Sequence, residues 1–557
     1  MGQIWYTFLN KRKGKTPMNG QDELLKLRAL LEEKDRIIEK QAEKIEKQDK
    51  LIEKQRIQID NMIQALLHAR KKIFGSSSER TQMDGQLNLF DSVQELAQEL
   101  FGEQKRITVR SHEKSPRKPG VREEMLAGLP KEIEEYVVNP EENCPKCGDP
   151  LNVIGKEVVR TEVEFIPAKL KVKQIIRQVA KCGSCGKKES ENKSPVFVKA
   201  LIPAPVLPHS ISTPSLVAQV MYQKFVMGLP FNRQEKDWFR MGLVLPRADM
   251  ANWVIRCSEE WLAPIYGRIH EKLLACEVMH MDETRIQCNK EAGRKASSNS
   301  FMWVMRSAAS EDIQAAFFHY SQSRGTEVAS NLLGDYTGYL ITDAYSGYNQ
   351  AGGYNRCLCW SHCRRYYIES IPLDNSGKEI KGSKGAEGRA YIDLLFKVER
   401  EIETLSFEEK KQKRQEASQP ILDAFWSWVE KTSAKYTTNE KLTQALTYSI
   451  NQKKYLETFM EDGRIPLSNN LCEANIKPFA TARRAWLFAD TPKGATANAV
   501  LYTLVETART NNLDVYEYLK YLLEEMPNND HLQNPEILDR YVSASKDGVI
   551  YRIAFSC

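Results

Sequence analysis

No run of eighteen apolar residues occurs anywhere in the 557-residue chain, which excludes an ordinary membrane-spanning helix. Cysteine is scarce. Twelve in this length fall far below the density of a disulfide-built scaffold, so a reducing compartment and a metal site are the expected uses of the thiols. The first fifteen residues lack the apolar core and small-residue cleavage site of a secretory signal. Tyr6 breaks the myristoylation pattern that Gly2 would open. Neither sign of charge dominates: 80 Lys and Arg stand against 74 Asp and Glu, a net of +6. Any surface for nucleic acid must therefore be local. What remains is an ordinary globular composition, 41% hydrophobic and 28% charged, enough for about three or four domains with real cores.

Residues 22–72 contain neither proline nor glycine. Leu24, Leu31, Ile38, Ile45, Ile52, Ile59 and Leu66 recur there every seven residues, and Ile-Glu-Lys-Gln repeats three times from Ile38, Ile45 and Ile52. Strict seven-residue spacing on a helix makes a seam that winds around a partner. The helix would span on the order of 65 Å. The second seam row is polar (Lys34, Gln41, Gln48 and Gln55), as in a weak or conditional dimer. The competing reading is a charged helix lying along its own protein. Gly75 to Ser78 ends the pattern, and the polar, basic stretch 103–120 reads as a linker or a DNA-tracking arm.

Cys144-Pro-Lys-Cys147 and Cys182-Gly-Ser-Cys185 each turn tightly, with Gly148 and Gly186 behind. Two such turns complete a tetrahedral site for one structural Zn²⁺; redox pairs are the alternative. Alternating apolar residues between them, including Val172, Ile175 and Ile176, suit a hairpin, and Lys169, Lys171, Lys173 and Arg177 make it basic. Helical patterns follow at 214–227, 231–241 and 246–275, separated by glycine-containing turns. They suit a helix-turn-helix that offers 246–253 to DNA, or simple packing.

From 277 the apolar period becomes two. Strands are expected at 277–286, 301–306, 315–320, 339–343 and 357–360, with a helix at 326–333 after the third. A meander, a crossover helix and further strand–helix units predict a mixed α/β sheet. Asp282 and Asp343 fall in or at the end of these apolar strands, where a carboxylate is disfavoured and costly to bury. A cation compensates. If the first and fourth strands are neighbours, the two carboxylates converge and can hold a pair of divalent ions suited to phosphodiester chemistry.

Several segments together resemble transposases of the insertion sequence 66 family. They are Asp282-Glu-Thr284, Thr342-Asp343-Ala-Tyr-Ser-Gly-Tyr348, Cys359-Trp-Ser-His362 with Arg364 and Arg365, and Gly463-Arg-Ile-Pro-Leu-Ser-Asn-Asn470-Leu-Cys-Glu473. Arg483, Arg484 and Trp486-Leu-Phe-Ala489 belong with them. The resemblance covers most of residues 20–525. Ser468 stands where the family commonly has Asp, and Cys363 where a small residue is common. The last thirty residues depart from it, residues 1–17 look additional, and Met18 is an expected start.

The resemblance implies a ribonuclease-H-like core whose acidic triad, Asp282, Asp343 and Glu473, holds Mg²⁺ or Mn²⁺. It also implies an N-terminal zipper, a zinc module on Cys144, Cys147, Cys182 and Cys185, and a helical DNA-binding region. Glu473 has a bland alternative, because Asn470 at an N-cap with Glu three residues on is a capping box. Lys477, Arg483, Arg484, His362, Arg364 and Arg365 are the candidate DNA contacts. A second metal cluster of His362 with Cys357, Cys359 and Cys363 is weighed against core packing, and packing is expected.

The expected division is a coiled coil at 20–75, linker and basic arm at 76–135, and zinc module at 136–200. A helical DNA-binding region follows at 209–275. The catalytic core takes 276–372 and 461–525 around a helical insertion at 373–460, and 526–557 is a tail. The expected activity is cleavage of an insertion sequence's ends and joining of the 3′-hydroxyls to target DNA by two-metal phosphoryl transfer. The alternatives are a non-catalytic DNA-binding regulator or domesticated remnant, and a related nuclease; the complete triad favours the first reading. Expected partners are terminal inverted repeats, target DNA, a second copy through the coiled coil and other proteins of the element, with no membrane. The expected location is the bacterial cytoplasm, at the nucleoid.

Overall fold

The computed structural model describes residues 20–74, 133, 158, 168–181, 197–349, 352–435 and 437–542. The four cysteines of the expected zinc module, the stretch 103–120 and residues 543–557 lie outside them. The chain forms two compact units. One gathers the described residues within Met1–Phe101, His362–Thr404 and Lys413–Lys453; the other gathers those within Gly102–Ser361, Leu405–Gln412 and Lys454–Cys557.

The first unit is helical. Gly20–Phe74 is one continuous helix, as the absence of helix breakers requires. Its seven-residue seam is exposed: Ile38, Ile45, Ile52, Ile59 and Leu66 all stand open to solvent. The last turns are anchored by another face. Asn61 donates to the Thr438 carbonyl at 2.9 Å, Gln64 exchanges two hydrogen bonds with Leu373, and His68 meets the Ile371 carbonyl at 2.9 Å. Lys71 pairs with Glu379 at 3.1 Å. Spacings of three and four residues put these groups on one stripe. At about 100° per residue the seam points to the opposite side of the helix. The reading of a helix lying along its own protein thus holds for the docked stripe, and the seam is left open to solvent. Below it, Lys384–Glu401 and Gln419–Ser433 pack at Gly388, where a Cβ would collide with Tyr367 and Trp428.

The second unit is built on a mixed sheet. A short antiparallel ribbon precedes it, β1 (Val179–Lys181) with β2 (Phe197–Lys199). Within the expected hairpin, residues 168–178 carry no strand and Val172, Ile175 and Ile176 are exposed, while β1 and β2 flank the second cysteine pair in the sequence. Helices Pro214–Phe225, Phe231–Arg240 and Arg247–Cys257 follow. Gly228 and Gly242 make the turns between them, at φ +69° and +89°, a conformation other residues adopt at a cost. The pattern at 246–275 breaks into two helices at a π turn, Ser258–Leu262, before Ala263–Leu274.

Five strands make the sheet: β3 (Val278–Gln287), β4 (Asn299–Ser307), β5 (Ala316–Ser321), β6 (Tyr339–Thr342) and β7 (Asn355–Leu358). Their order is β5-β4-β3-β6-β7. The first three form an antiparallel meander, while β6 runs parallel to β3 and β7 parallel to β6. A parallel neighbour needs a crossover, and the helix Thr326–Leu333 lies in that connection.

Alternation along the strands sorts the two faces. Phe318 packs with Phe479 and Tyr502, ring centroids 5.1 to 6.3 Å apart, so helices Asn470–Trp486 and Pro492–Thr510 cover that face. Phe317 stacks on Tyr266 of Ala263–Leu274 at 4.4 Å on the other face. Burying each such ring contributes roughly 1.5–3 kcal/mol. The outer edge of β5 is closed by hydroxyls: Thr503 and Thr507 accept from the amides of Phe318 and Ala316 at 2.8 and 3.2 Å. Paired this way, the edge cannot template another strand. Near the C-terminus, Arg268 holds Asp539 at 2.6 Å, and Leu538, Tyr541 and Val542 are buried. All seven described cysteines are buried, Cys357, Cys359 and Cys363 among them. No helix among the described residues is long and apolar enough to cross a membrane.

Candidate active site

Strand β3 carries Asp282 just beyond its fully buried half. It is the central strand, so a carboxylate here has β4 on one side and β6 on the other. The parallel register pairs His280 with Ile341. Continued two residues, it brings Asp343 level with Asp282, immediately past the end of β6. Asp343 makes an Asx turn there, its Oδ1 accepting the Tyr345 amide at 2.9 Å. Arg356, buried on β7, fixes that backbone by donating to the carbonyls of Asp343 and Tyr345 at 2.7 and 3.0 Å.

Glu473 arrives in the first turn of Asn470–Trp486. This helix begins one residue earlier than the capping-box reading assumes. The N-cap is Asn469, not Asn470, and its side chain makes no cap hydrogen bond. The reason is that Asn469 is used elsewhere. Fully buried, it bonds His280 Nδ1 through its Oδ1 at 2.8 Å, donates to the Met281 carbonyl at 3.3 Å, and its amide donates to the Cys359 thiol at 3.1 Å. These bonds lock the start of the Glu473 helix onto β3, two residues from Asp282. Burial keeps His280 neutral, its pKa pushed down to about 4. Cys359 Sγ and a Glu473 carboxylate oxygen lie within 4.8 Å of each other.

The electrostatics are those of a crowded acidic pocket. Burial drives the Asp282 carboxyl well above its ordinary range, and the charges of Glu283, Asp343 and Glu473 push it further. Asp282 and Glu283 are both desolvated; Arg324 offsets the charge of Glu283, and a cation beside Asp282 would offset the rest. The carboxylates offer hard oxygen donors, and Cys359 adds a soft sulfur beside Glu473.

Glu283 is the acid that sequence reasoning left without a role. It points to the opposite face from Asp282, where Tyr348 donates to it at 2.5 Å and Arg324 forms an ion pair with it. Arg324 also lies 3.9 Å over the ring of Tyr345, whose hydroxyl donates to the Arg324 carbonyl at 2.6 Å. A tandem of acids on an otherwise buried strand is the signal that marks Glu283. Arg324, far along the chain, offers no such signal.

Lys477 and Arg484 are exposed on the helix that bears Glu473, and Arg483 is half-buried. Burial and the like charge of Arg484 lower the Arg483 pKa. Neither arginine forms an ion pair among the described residues. His362 sits in the first turn of Trp360–Ser370, and Arg365 is exposed on it. Arg364 is held by Asp393 at 2.6 Å, which leaves its guanidinium less available than the sequence suggests.

A family model described as "Transposase IS66 family" matches residues 209–497, more than half of the chain. The "zinc-finger binding domain of transposase IS66" matches 141–186, a span holding all four cysteines of the two pairs. The "IS66 C-terminal element" matches 503–536, running past the expected limit of the resemblance at 525, and the "Transposase C of IS166 homeodomain" matches 64–133. The uncharacterized protein y4hP of Sinorhizobium fredii is 27% identical over 479 residues, covering 82% of this chain and 83% of that protein. The uncharacterized protein y4jD of the same organism is 25% identical over 480 residues, covering 83% and 89%. Among solved structures, the Drosophila P element transposase strand transfer complex aligns with a TM-score of 0.27 and 12% identity over 58% of this chain and 94% of that one.

Proposed function

The chain belongs to the IS66 transposase family, and on that premise we propose that Asp282, Asp343 and Glu473 form the metal-binding centre of a DNA-cleaving and DNA-joining enzyme. The observation that carries this reading is the crowding of acids around Asp282, whose buried carboxyl is raised by its acidic neighbours. The mixed sheet with a central acidic strand suits a ribonuclease-H-like core. When bound, divalent cations supply charge neutralisation and Lewis-acid activation at the reacting phosphate.

The protein's part is placement. β3 and β6 set the two aspartates side by side, Arg356 stiffens the turn after Asp343, and Asn469 with His280 fixes the helix that presents Glu473. Glu283 is occupied by Arg324 and Tyr348, so it steadies the end of β3. In the cleavage step, water attacks the scissile phosphorus and the bond to the 3′-oxygen breaks. In the joining step that freed 3′-hydroxyl attacks a target phosphorus and the target's own 3′-oxygen leaves. Lys477 and Arg484, exposed on the Glu473 helix, are the candidates to meet phosphates, with Arg365 and His362 on Trp360–Ser370.

Zn²⁺ on Cys144, Cys147, Cys182 and Cys185 and a homodimer through the exposed seam complete the proposal. Ile45→Lys puts a charge in that seam, and sedimentation should then show a weakened dimer. The test of function is Mg²⁺-dependent nicking and joining on DNA that flanks the gene. Binding without any cleavage by the native protein would turn the reading to a regulator.

A further inference from the structure

The helix that bears Glu473 ends in a way that helix termination does not require. Leu487 takes φ +64° and ψ −53°, and the Phe488 amide donates to the Trp486 carbonyl at 2.8 Å. This is a γ-turn of the rare, strained hand, on a residue with a β-carbon. Glycine would make the turn without strain. Leu487 is 64% exposed and Phe488 43%, so neither is held there by the core.

The backbone on both sides is firmly fixed. Trp486 is buried, edge-on to Phe479 at 5.7 Å and with Lys224 Nζ 5.4 Å from its ring centre. The Leu487 amide donates to the Arg483 carbonyl at 2.7 Å. Beyond the pair, Ala489 joins the end of β3: its amide donates to the Gln287 carbonyl at 2.9 Å and its carbonyl accepts from Asn289 at 3.0 Å. Strain that persists because its surroundings over-determine it marks functional positions.

The neighbourhood is cationic. Arg483 and Arg484 precede the pair and form no ion pair among the described residues. Glu473, Lys477, Arg484 and Leu487 are spaced by four, seven and three, so they share one stripe of the helix. At about 1.5 Å per residue, Leu487 lies about 21 Å from Glu473 along the axis, the rise of about six base pairs of duplex.

We infer that Leu487 and Phe488 form a rigid apolar wedge that enters the base stack of the DNA end, about six base pairs from the phosphate at Glu473, while Arg483 and Arg484 grip the flanking backbone. Apolar side chains beside arginines are used to unstack and kink duplexes. A prestrained turn on a fixed support presents them without further ordering. The charge beside the pair favours DNA over a second protein surface.

The inference rests on the transposase reading, and the test separates the two. The probe is a duplex taken from the DNA flanking the gene, with 2-aminopurine placed at successive positions from the cleaved end. The native protein should raise fluorescence at one position, about six base pairs from the scissile phosphate. Leu487→Gly combined with Phe488→Ala keeps the turn and should abolish that rise, weakening binding by about tenfold. A mismatch or abasic site at the same position should restore binding and cleavage to the double variant. Efficient cleavage by the native protein with no rise at any position would overturn the wedge and leave the transposase reading standing. An undiminished rise in a double variant that has lost self-association would instead assign the pair to a protein contact. Failure of the native protein to bind or cut this DNA would sink both.

Discussion

The two ends of the Asn470–Trp486 helix have opposite characters. Its start is buried and neutral in its fastenings: Asn469, His280 and a thiol hold it, and its one charge, Glu473, faces other acids. Its end is cationic and open, with Arg484, Leu487 and Phe488 exposed. An anionic substrate is repelled by the first until cations arrive and is attracted by the second at once. On the proposed reading this one helix separates capture from chemistry, and substitutions at its two ends should fail in different ways.

Four experiments bear on that separation, from the largest effect to the smallest. Glu473→Gln keeps the size and hydrogen-bonding reach of the side chain but weakens a hard-cation ligand. Cleavage should fall by about 10³-fold or more while DNA affinity stays near normal; a parallel loss of affinity in a filter-binding assay would erase the distinction. Asn469→Leu leaves the His280 ring and the Met281 carbonyl without their partner. It should cost about 2–3 kcal/mol of stability in denaturant melts and slow cleavage with little change in binding.

Arg484→Ala should act at the other end. Affinity should drop for every sequence alike, and the slope of log affinity against log salt should become shallower by about one. A sequence-dependent loss would contradict a phosphate contact.

The smallest effect is thermal. The folded pKa of Asp282 is above its unfolded value, so the folded state holds the proton more tightly. Without divalent ions, stability from this group falls as pH rises from the ordinary carboxylate range through the raised value. His280 has the opposite dependence: held neutral by burial, it contributes stability near neutral pH that is lost as pH falls from about 6.5 towards about 4. Asp282→Asn should raise the melting temperature of the metal-free protein by a few degrees, about 2–4 °C for each kcal/mol, and cancel the gain that Mg²⁺ gives the native chain. Scanning calorimetry with and without Mg²⁺ reads both.

The strands were legible because alternation survives in a half-buried sheet. Each expected strand falls within a few residues of the observed one, and the helix at 326–333 matches Thr326–Leu333. Their lateral order was not legible. That Asp282 and Asp343 become neighbours depends on β6 pairing with β3, a long-range choice that no local pattern encodes. The tandem Asn469-Asn470 hid the true N-cap, because both residues suit the position and only tertiary contact with His280 decides between them. The roles of Glu283, Arg324 and Arg356 were hidden for the same reason: a charge reads as solvent-facing until a partner from elsewhere covers it. The seam of the long helix was plain in its spacing, whereas its docked face, Asn61 to Lys71, is polar and carries no periodic apolar mark.

The burial of every described thiol turns the protein into its own titration assay. Seven of the twelve cysteines sit inside the folded units, so a chromogenic thiol reagent should find them silent until the chain unfolds. Fast-reacting sulfur in the native protein then belongs to Cys557 or to the two Cys-x-x-Cys pairs. Adding a chelator should convert about four slow thiols to fast ones if the pairs share a metal, and the colour yield counts the ligands directly, without reference to DNA.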